Sequence, residues 1–205
     1  DKPFYGFFTY TLPHAELYQP NDSILQAYYG KFCNDKTFAG VDRYHATVNT
    51  HAQFAAMITR LDAYVGEIMA KLKAKGLDEN TIVIFSSDNG PHEEGGADPD
   101  FFGRDGKLQG KKRSCLEGGI RIPFIVRWPG HVPAGTVNDH ILAFYDIMPT
   151  FCDLIGQKDY VSKFRNKRLG DKDYFDGISF APTLLGNDAE QKNHDFLYWE
   201  FHETN

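Results

Sequence analysis

The chain has 205 residues, with 22 Lys and Arg against 28 Asp and Glu, for a formal charge of −6. That length suits one domain able to bury about 70% of its unfolded surface, and the scattered basic residues exclude the positive stripe of a nucleic-acid binder. No apolar run approaches the ~20 residues that cross a bilayer, the start is no signal peptide, and three cysteines cannot build a disulfide framework.

Phe4 to Leu12 (FYGFFTYTL), rich in aromatics and threonine, predicts a strand that ends at Pro13-His14. By itself His14 then reads as a surface histidine after a strand. Pro20-Asn21-Asp22-Ser23 is a turn, Ile24 to Tyr29 a short helix, and Gly30 to Arg43 loop. His45 and His51 have no partner at metal-ligand spacing and are expected to be structural or exposed. The clearest helix runs from His51 to Lys75, with Thr50 and Gln53 as a capping box. Its apolar stripe is Phe54, Met57, Ile58, Leu61, Tyr64, Val65, Ile68, Met69 and Leu72. Lys71, Lys73 and Lys75 suit its negative end, and Gly76 stops it.

Thr81 to Phe85 (TIVIF) reads as a strand buried on both faces, so helix and strand form half of a parallel crossover unit. It stops at Ser86-Ser87-Asp88-Asn89-Gly90-Pro91-His92. Ligands of open α/β sheets bind beyond the carboxyl ends of strands. There Asp88 and Asn89 offer the hard oxygens that calcium or magnesium prefers, although Asp-Asn-Gly is also ordinary turn chemistry. Pro91 to Lys111 is a long loop of the kind that is functional or mobile, and its acidic residues Glu93, Glu94, Asp98 and Asp100 are expected on a solvated surface. Lys111-Lys112-Arg113 reads by itself as a basic cluster before a turn, and Glu117-Gly118-Gly119 as a tight turn that needs glycine's unusual φ, braced by Arg121. Pro123 to Trp128 is a second buried strand. Ile141 to Ile155 is a strand end plus helix, with Met148 and Cys152 as core. Residues 157–177 are charged surface, 177–185 a short helix, and Phe196 to Phe201 a last strand.

Five stretches stand in the order found in one family: Leu12-Pro13-His14-Ala15; Leu61-Asp62-Ala63-Tyr64-Val65-Gly66; Ser87 to His92; Gly110-Lys111-Lys112 with Glu117-Gly118-Gly119-Ile120-Arg121-Ile122-Pro123; and Asp146-Ile147-Met148-Pro149-Thr150. Together they resemble the second half of the catalytic domain of type I, formylglycine-dependent sulfatases of the alkaline phosphatase superfamily. The resemblance implies an α/β fold, a mostly parallel central sheet flanked by helices, incomplete at both ends. Residues 1–205 would be one partial catalytic domain. It implies hydrolysis of sulfate esters, with Asp88 and Asn89 as metal ligands for Ca2+ ahead of Mg2+. His14 and Lys112 would be catalytic and bind the sulfate, and His92 would touch substrate. Lys112 receives its role because the family pattern puts a lysine five residues before the Glu of Glu-Gly-Gly, here Glu117. Sulfated small molecules or sulfated glycans are the implied substrates, with no nucleic-acid or membrane partner, and an extracytoplasmic site is the family habit.

The sequence also departs from the family. None of Cys33, Cys115 and Cys152, and no serine, lies in the Cys-or-Ser-x-Pro-Ser-Arg motif that carries formylglycine. The Asp-Asp pair that completes the family's metal shell is absent too. The chain therefore reads as an excerpt, inactive alone. A phosphomonoester or phosphodiester hydrolase of the same superfamily and a non-catalytic binding fragment are the competing readings.

Overall fold

The computed structural model describes residues 2–41, 43–103, 106–160 and 176–202. These contain helices and two small sheets and divide into two compact units. The first takes the described residues within Asp1–Leu77, Phe85–Phe124 and Phe201–Asn205; the second takes those within Asp78–Ile84 and Ile125–Glu200.

The first unit is built on the long helix. A short helix α1 (Ser23–Gln26) is capped by Asp22, whose carboxylate accepts from the Ile24 and Leu25 N–H groups. Strands β1 (Thr37–Phe38) and β2 (Thr47–Val48) pair antiparallel, Thr37 opposite Val48, and lead into α2 (Thr50–Ala74). The helix arises where expected, but its start is capped differently. Asn49 is the N-cap in a left-handed conformation without a side-chain bond. The first turn's free N–H groups are met by a remote carboxylate, Asp35, which accepts from His51 N at 2.8 Å and Ala52 N at 3.2 Å. Gln53, expected in a capping box, instead accepts from Gln19 N at 2.8 Å.

Burial along α2 is uneven. Ala52, Phe54, Ala56 and Met57 are buried. Phe54 and Met57 pack with Leu17 and Ala97, and Ala52 and Ala56 with Leu25. Farther on, Leu61, Tyr64, Val65, Ile68, Met69 and Leu72 keep the three-and-four spacing but are only half-buried, and Ile58 is exposed. Gly76, at φ 66°, ends the helix as its position suggests. Further short helices are α3 (Pro99–Phe102), capped by Asp98, and α4 (Glu117–Ile120).

Strand β3 (Val83–Ser86) pairs with β4 (Phe124–Arg127) in the second two-stranded sheet. Both lie within a residue or two of their expected places. Neither is buried on both faces: every β3 residue is half-buried and Ile125 is exposed. Among the described residues, no third strand joins this sheet to cover it. Two expected strands are absent for a related reason. Phe4 to Leu12 and Phe196 to Phe201 have no strand conformation, and Phe4, Tyr5, Phe7, Phe8, Phe196 and Tyr198 are exposed. A strand exists through its ladder bonds to a neighbour, and among the described residues neither segment joins a strand ladder.

In the second unit, a single turn at Phe144–Asp146 runs into α5 (Ile147–Leu154), and α6 (Ala181–Leu184) packs on it. Its centre is polar. The fully buried Asp146 accepts from Ala143 N at 2.7 Å, Ile178 N at 2.7 Å and His194 Nε2 at 2.8 Å. Thr150, also buried, donates to Asp146 O and accepts from Phe180 N. Cys152 is core as expected, whereas Met148 is half exposed. Of the stretch 157–177 expected as charged surface, residues 161–175 lie outside the described residues. No described helix is long and apolar enough to cross a membrane, and no cysteine forms a disulfide.

Candidate active site

The candidate site lies wholly in the first unit, where three segments distant in sequence converge. One is Leu12 to Gln19, anchored by the buried Leu17 and by the bond from Gln19 N to Gln53 on α2. The second follows β3, Ser87 to Asp98. The third is the basic run before α4.

Backbone bonds and missing side chains tie the second and third segments together. Gly90 N donates to Gly119 O at 2.9 Å, Lys112 N to Pro91 O at 2.8 Å, and Gly118 N to Gln109 O at 2.7 Å. A Cβ on Gly90 would stand 1.9 Å from Gly118 O, and one on Gly118 would stand 2.1 Å from Gly110 O. The Glu117-Gly118-Gly119 glycines are therefore required for close approach, not for the unusual φ expected of them, since they open a right-handed helical turn.

Through this arrangement Lys112 Nζ lies 2.9 Å from His14 Nε2. His14 Nδ1 lies 2.8 Å from Ala15 O. One tautomer satisfies both bonds: Nδ1–H donates to the carbonyl, and Nε2 accepts from the ammonium. The His14 ring stacks on His92, with centroids 5.4 Å apart and planes 19° apart. His92 is buried at 6% exposure; its Nε2–H donates to Pro13 O at 3.0 Å and its Nδ1 lies 2.9 Å from Glu94 Oε2. That last contact is off-line for a hydrogen bond and is an electrostatic one. Glu94 also faces Lys112 Nζ at 3.3 Å and Arg113 Nη1 at 3.4 Å. Burial pushes its carboxyl up, but its own backbone N–H, the Lys112 ammonium and His92 outweigh that and hold it below the usual carboxylate range. Beside this cluster is a cavity of about 250 Å3 lined by Glu93, Glu94, Lys111, Lys112 and Arg113.

The acidic residues of the loop are not the uniform solvated surface expected. Glu93 and Asp100 are exposed and pair with Lys111 at 2.6 and 3.3 Å, and Glu93 foremost raises the lysine's pKa. Glu94 and Asp98 face inward. Asp98 caps α3 and bonds Lys36 and the buried His51, which also faces Asp35. Phe101 stacks on the His51 ring at 3.8 Å. The expectation of a solvated surface thus fails for Glu94 and Asp98. The Asp98-Pro99 pair was the available signal for a helix start, and the glycines after Glu94 were a signal of crowding.

The structure thus brings His14, His92 and Lys112 together. Asp88 and Asn89 stand on the adjoining turn, three and two residues before Pro91, whose carbonyl holds Lys112. Asp88 is exposed and has no side-chain bond among the described residues. Asn89 Nδ2 donates to Gly90 O at 2.7 Å, which leaves its amide oxygen available. These donors fit part of a hard-cation shell. Calcium takes about 6–8 oxygens, and no cluster of three or more acidic, His or Cys ligands exists among the described residues.

Known proteins resemble this chain. The family model described as Sulfatase matches residues 1–157. The chain belongs to the sulfatase family. Steryl-sulfatase of Mus musculus is 33% identical over 150 residues, covering 72% of this chain and 22% of the relative. A sulfatase of Formosa agariphila is 30% identical over 215 residues, covering 98% of this chain and 33% of the relative. Among solved structures, Ps i-CgsB in complex with k-i-k-neocarrahexaose superposes with a TM-score of 0.62 at 28% identity, over 86% of this chain and 32% of that one. The chain spans between 22% and 33% of the length of these relatives.

Proposed function

We propose that the chain carries part of the active site of a sulfuric ester hydrolase, as a partial catalytic domain. The observation that carries this is the Lys112–His14 contact, made across 98 positions of sequence beside the Asp88-Asn89 turn in a sulfatase-family chain. Lys112 binds a sulfate oxygen and offsets charge as it builds in the transition state. The proton shared by Lys112 Nζ and His14 Nε2 serves the leaving oxygen, a role supported by their 2.9 Å separation. His92, buried against His14, acts on the substrate by holding that ring. Asp88 and Asn89 would be two ligands of a divalent cation, calcium before magnesium, which would supply Lewis acidity to the sulfate group. The nucleophile, a formylglycine, comes from residues outside these 205, as do the remaining ligands and the strands that complete a mostly parallel, alkaline phosphatase-like sheet.

The substrate class is a sulfated glycan or sulfated small molecule. The first is supported by the oligosaccharide named with Ps i-CgsB, the second by the name of the steryl-sulfatase relative. An extracytoplasmic location follows the family habit. Peptide mapping of the intact protein by mass spectrometry tests the reading. A Cys or Ser converted to formylglycine is the expected result; an unmodified Ser or Thr at the nucleophile position would replace sulfate by phosphate ester chemistry.

A further inference from the structure

We infer that Glu94 is a positioning residue that sets the Lys112–His14 pair, a role that rests on the sulfate-ester reading of the site. Its side chain is 10% exposed, and a buried carboxylate is stable only when paired. The two oxygens divide their work: Oε1 faces Lys112 Nζ at 3.3 Å and Arg113 Nη1 at 3.4 Å, while Oε2 faces His92 Nδ1 at 2.9 Å. His14 is thereby reached along two routes, by the ammonium on its Nε2 and by the His92 ring on its face.

An ammonium has three hydrogens. At Lys112 one is directed to His14 Nε2 and one toward Glu94, so the third is the one left for a sulfate oxygen. Glu94 fixes the rotation of that donor set. The turn carrying Glu94 is itself held tightly. Gly95 and Gly96 both have positive φ, and a Cβ on them would stand 2.9 Å from Ala15 Cβ and 2.7 Å from Phe38 Cβ. Ala15 follows His14 directly, so the contact that locks the Glu94 turn also locks the segment bearing the histidine. The preceding Glu93 differs in every respect: it is exposed and pairs with Lys111 outside this ring of contacts.

The test uses the intact protein and the variants Glu94→Gln and Glu94→Asp, with sulfate-ester kinetics and histidine-ring 15N spectra. Glu94→Gln is expected to lower kcat about 10- to 100-fold, the usual effect of losing a group that orients a catalytic residue, with KM little changed. Glu94→Asp is expected to recover part of the loss. The His14 ring signals, which Glu94 does not touch, are expected to move in Glu94→Gln. A wild-type kcat in Glu94→Gln, or unmoved His14 signals, overturns the inference. If the wild-type protein hydrolyses no sulfate ester, the functional reading falls, and the His14 signals alone decide the positioning role. If Glu94→Gln does not fold, Glu94→Asp is read the same way: displaced His14 signals with reduced kcat support the role, and unchanged ones refute it.

Discussion

Lys112 Nζ stands 2.9 Å from His14 Nε2, although the residues are 98 positions apart, while the neighbouring Lys111 turns to Glu93 and Asp100. Two adjacent ammonium groups are thus given different work by their partners. Lys112→Ala is expected to cut kcat/KM by about 10²- to 10³-fold, the range seen when a preorganised donor to a developing oxyanion is lost. Lys111→Ala should cost at least about tenfold less. Losses in His14→Ala and Lys112→Ala should fall short of additive in the double variant, because each removes the same contact. Equal losses for the two lysines would contradict the assignment.

Asp88 is exposed and Asn89 keeps its amide oxygen available. Asp88→Ala in the intact protein should weaken calcium binding, read by calorimetry, and remove activity. The carboxylate supplies full charge to a hard cation, whereas Asn89→Asp retains an oxygen ligand and should retain binding. Unchanged calcium affinity in Asp88→Ala would remove this turn from the metal site.

Asp98 joins Lys36, the Phe101 N–H and His51. The Lys36 bond is foremost in holding its carboxyl well below the usual carboxylate range against the opposing effect of burial, with the other two bonds adding to it. A depressed folded-state pKa gives stability that is present above the unfolded value, about 3.9, and is lost as pH falls through the folded one. Asp98→Asn should therefore lower Tm at neutral pH, and the gap from wild type should close as pH drops below about 4. A gap that stays constant with pH would show that Asp98 acts without its charge.

Asp146 is fully buried under three donors. Asp146→Ala leaves two N–H groups and His194 without their acceptor, which should cost about 3 kcal/mol in urea unfolding. A cost below about 0.5 kcal/mol, ordinary for a surface change, would contradict its structural role.

What was legible in the sequence follows from the range of the physics involved. Helix α2 came within a residue of its expected span, and β3 and β4 nearly as close, because period and end signals are local. The cap of α2 was not legible, since Asp35 reaches it from 16 positions away. The aromatic segments Phe4 to Leu12 and Phe196 to Phe201 have strand composition, but composition supplies no pairing partner. His14 and Lys112 are singled out through motifs alone, since residues 98 positions apart carry no local signal of contact. That Glu94 sits under two of the cluster's groups was not legible, because one acidic residue in an acidic loop resembles the next until the glycines beside it are packed.

The central claim is sulfate-ester hydrolysis, and the most direct measurement is release of inorganic sulfate from an aryl sulfate by the intact protein with calcium, run beside the matching aryl phosphate. Sulfate release that disappears in Lys112→Ala is the predicted result. Turnover of the phosphate ester alone, or sulfate release unaffected by Lys112→Ala, would contradict it.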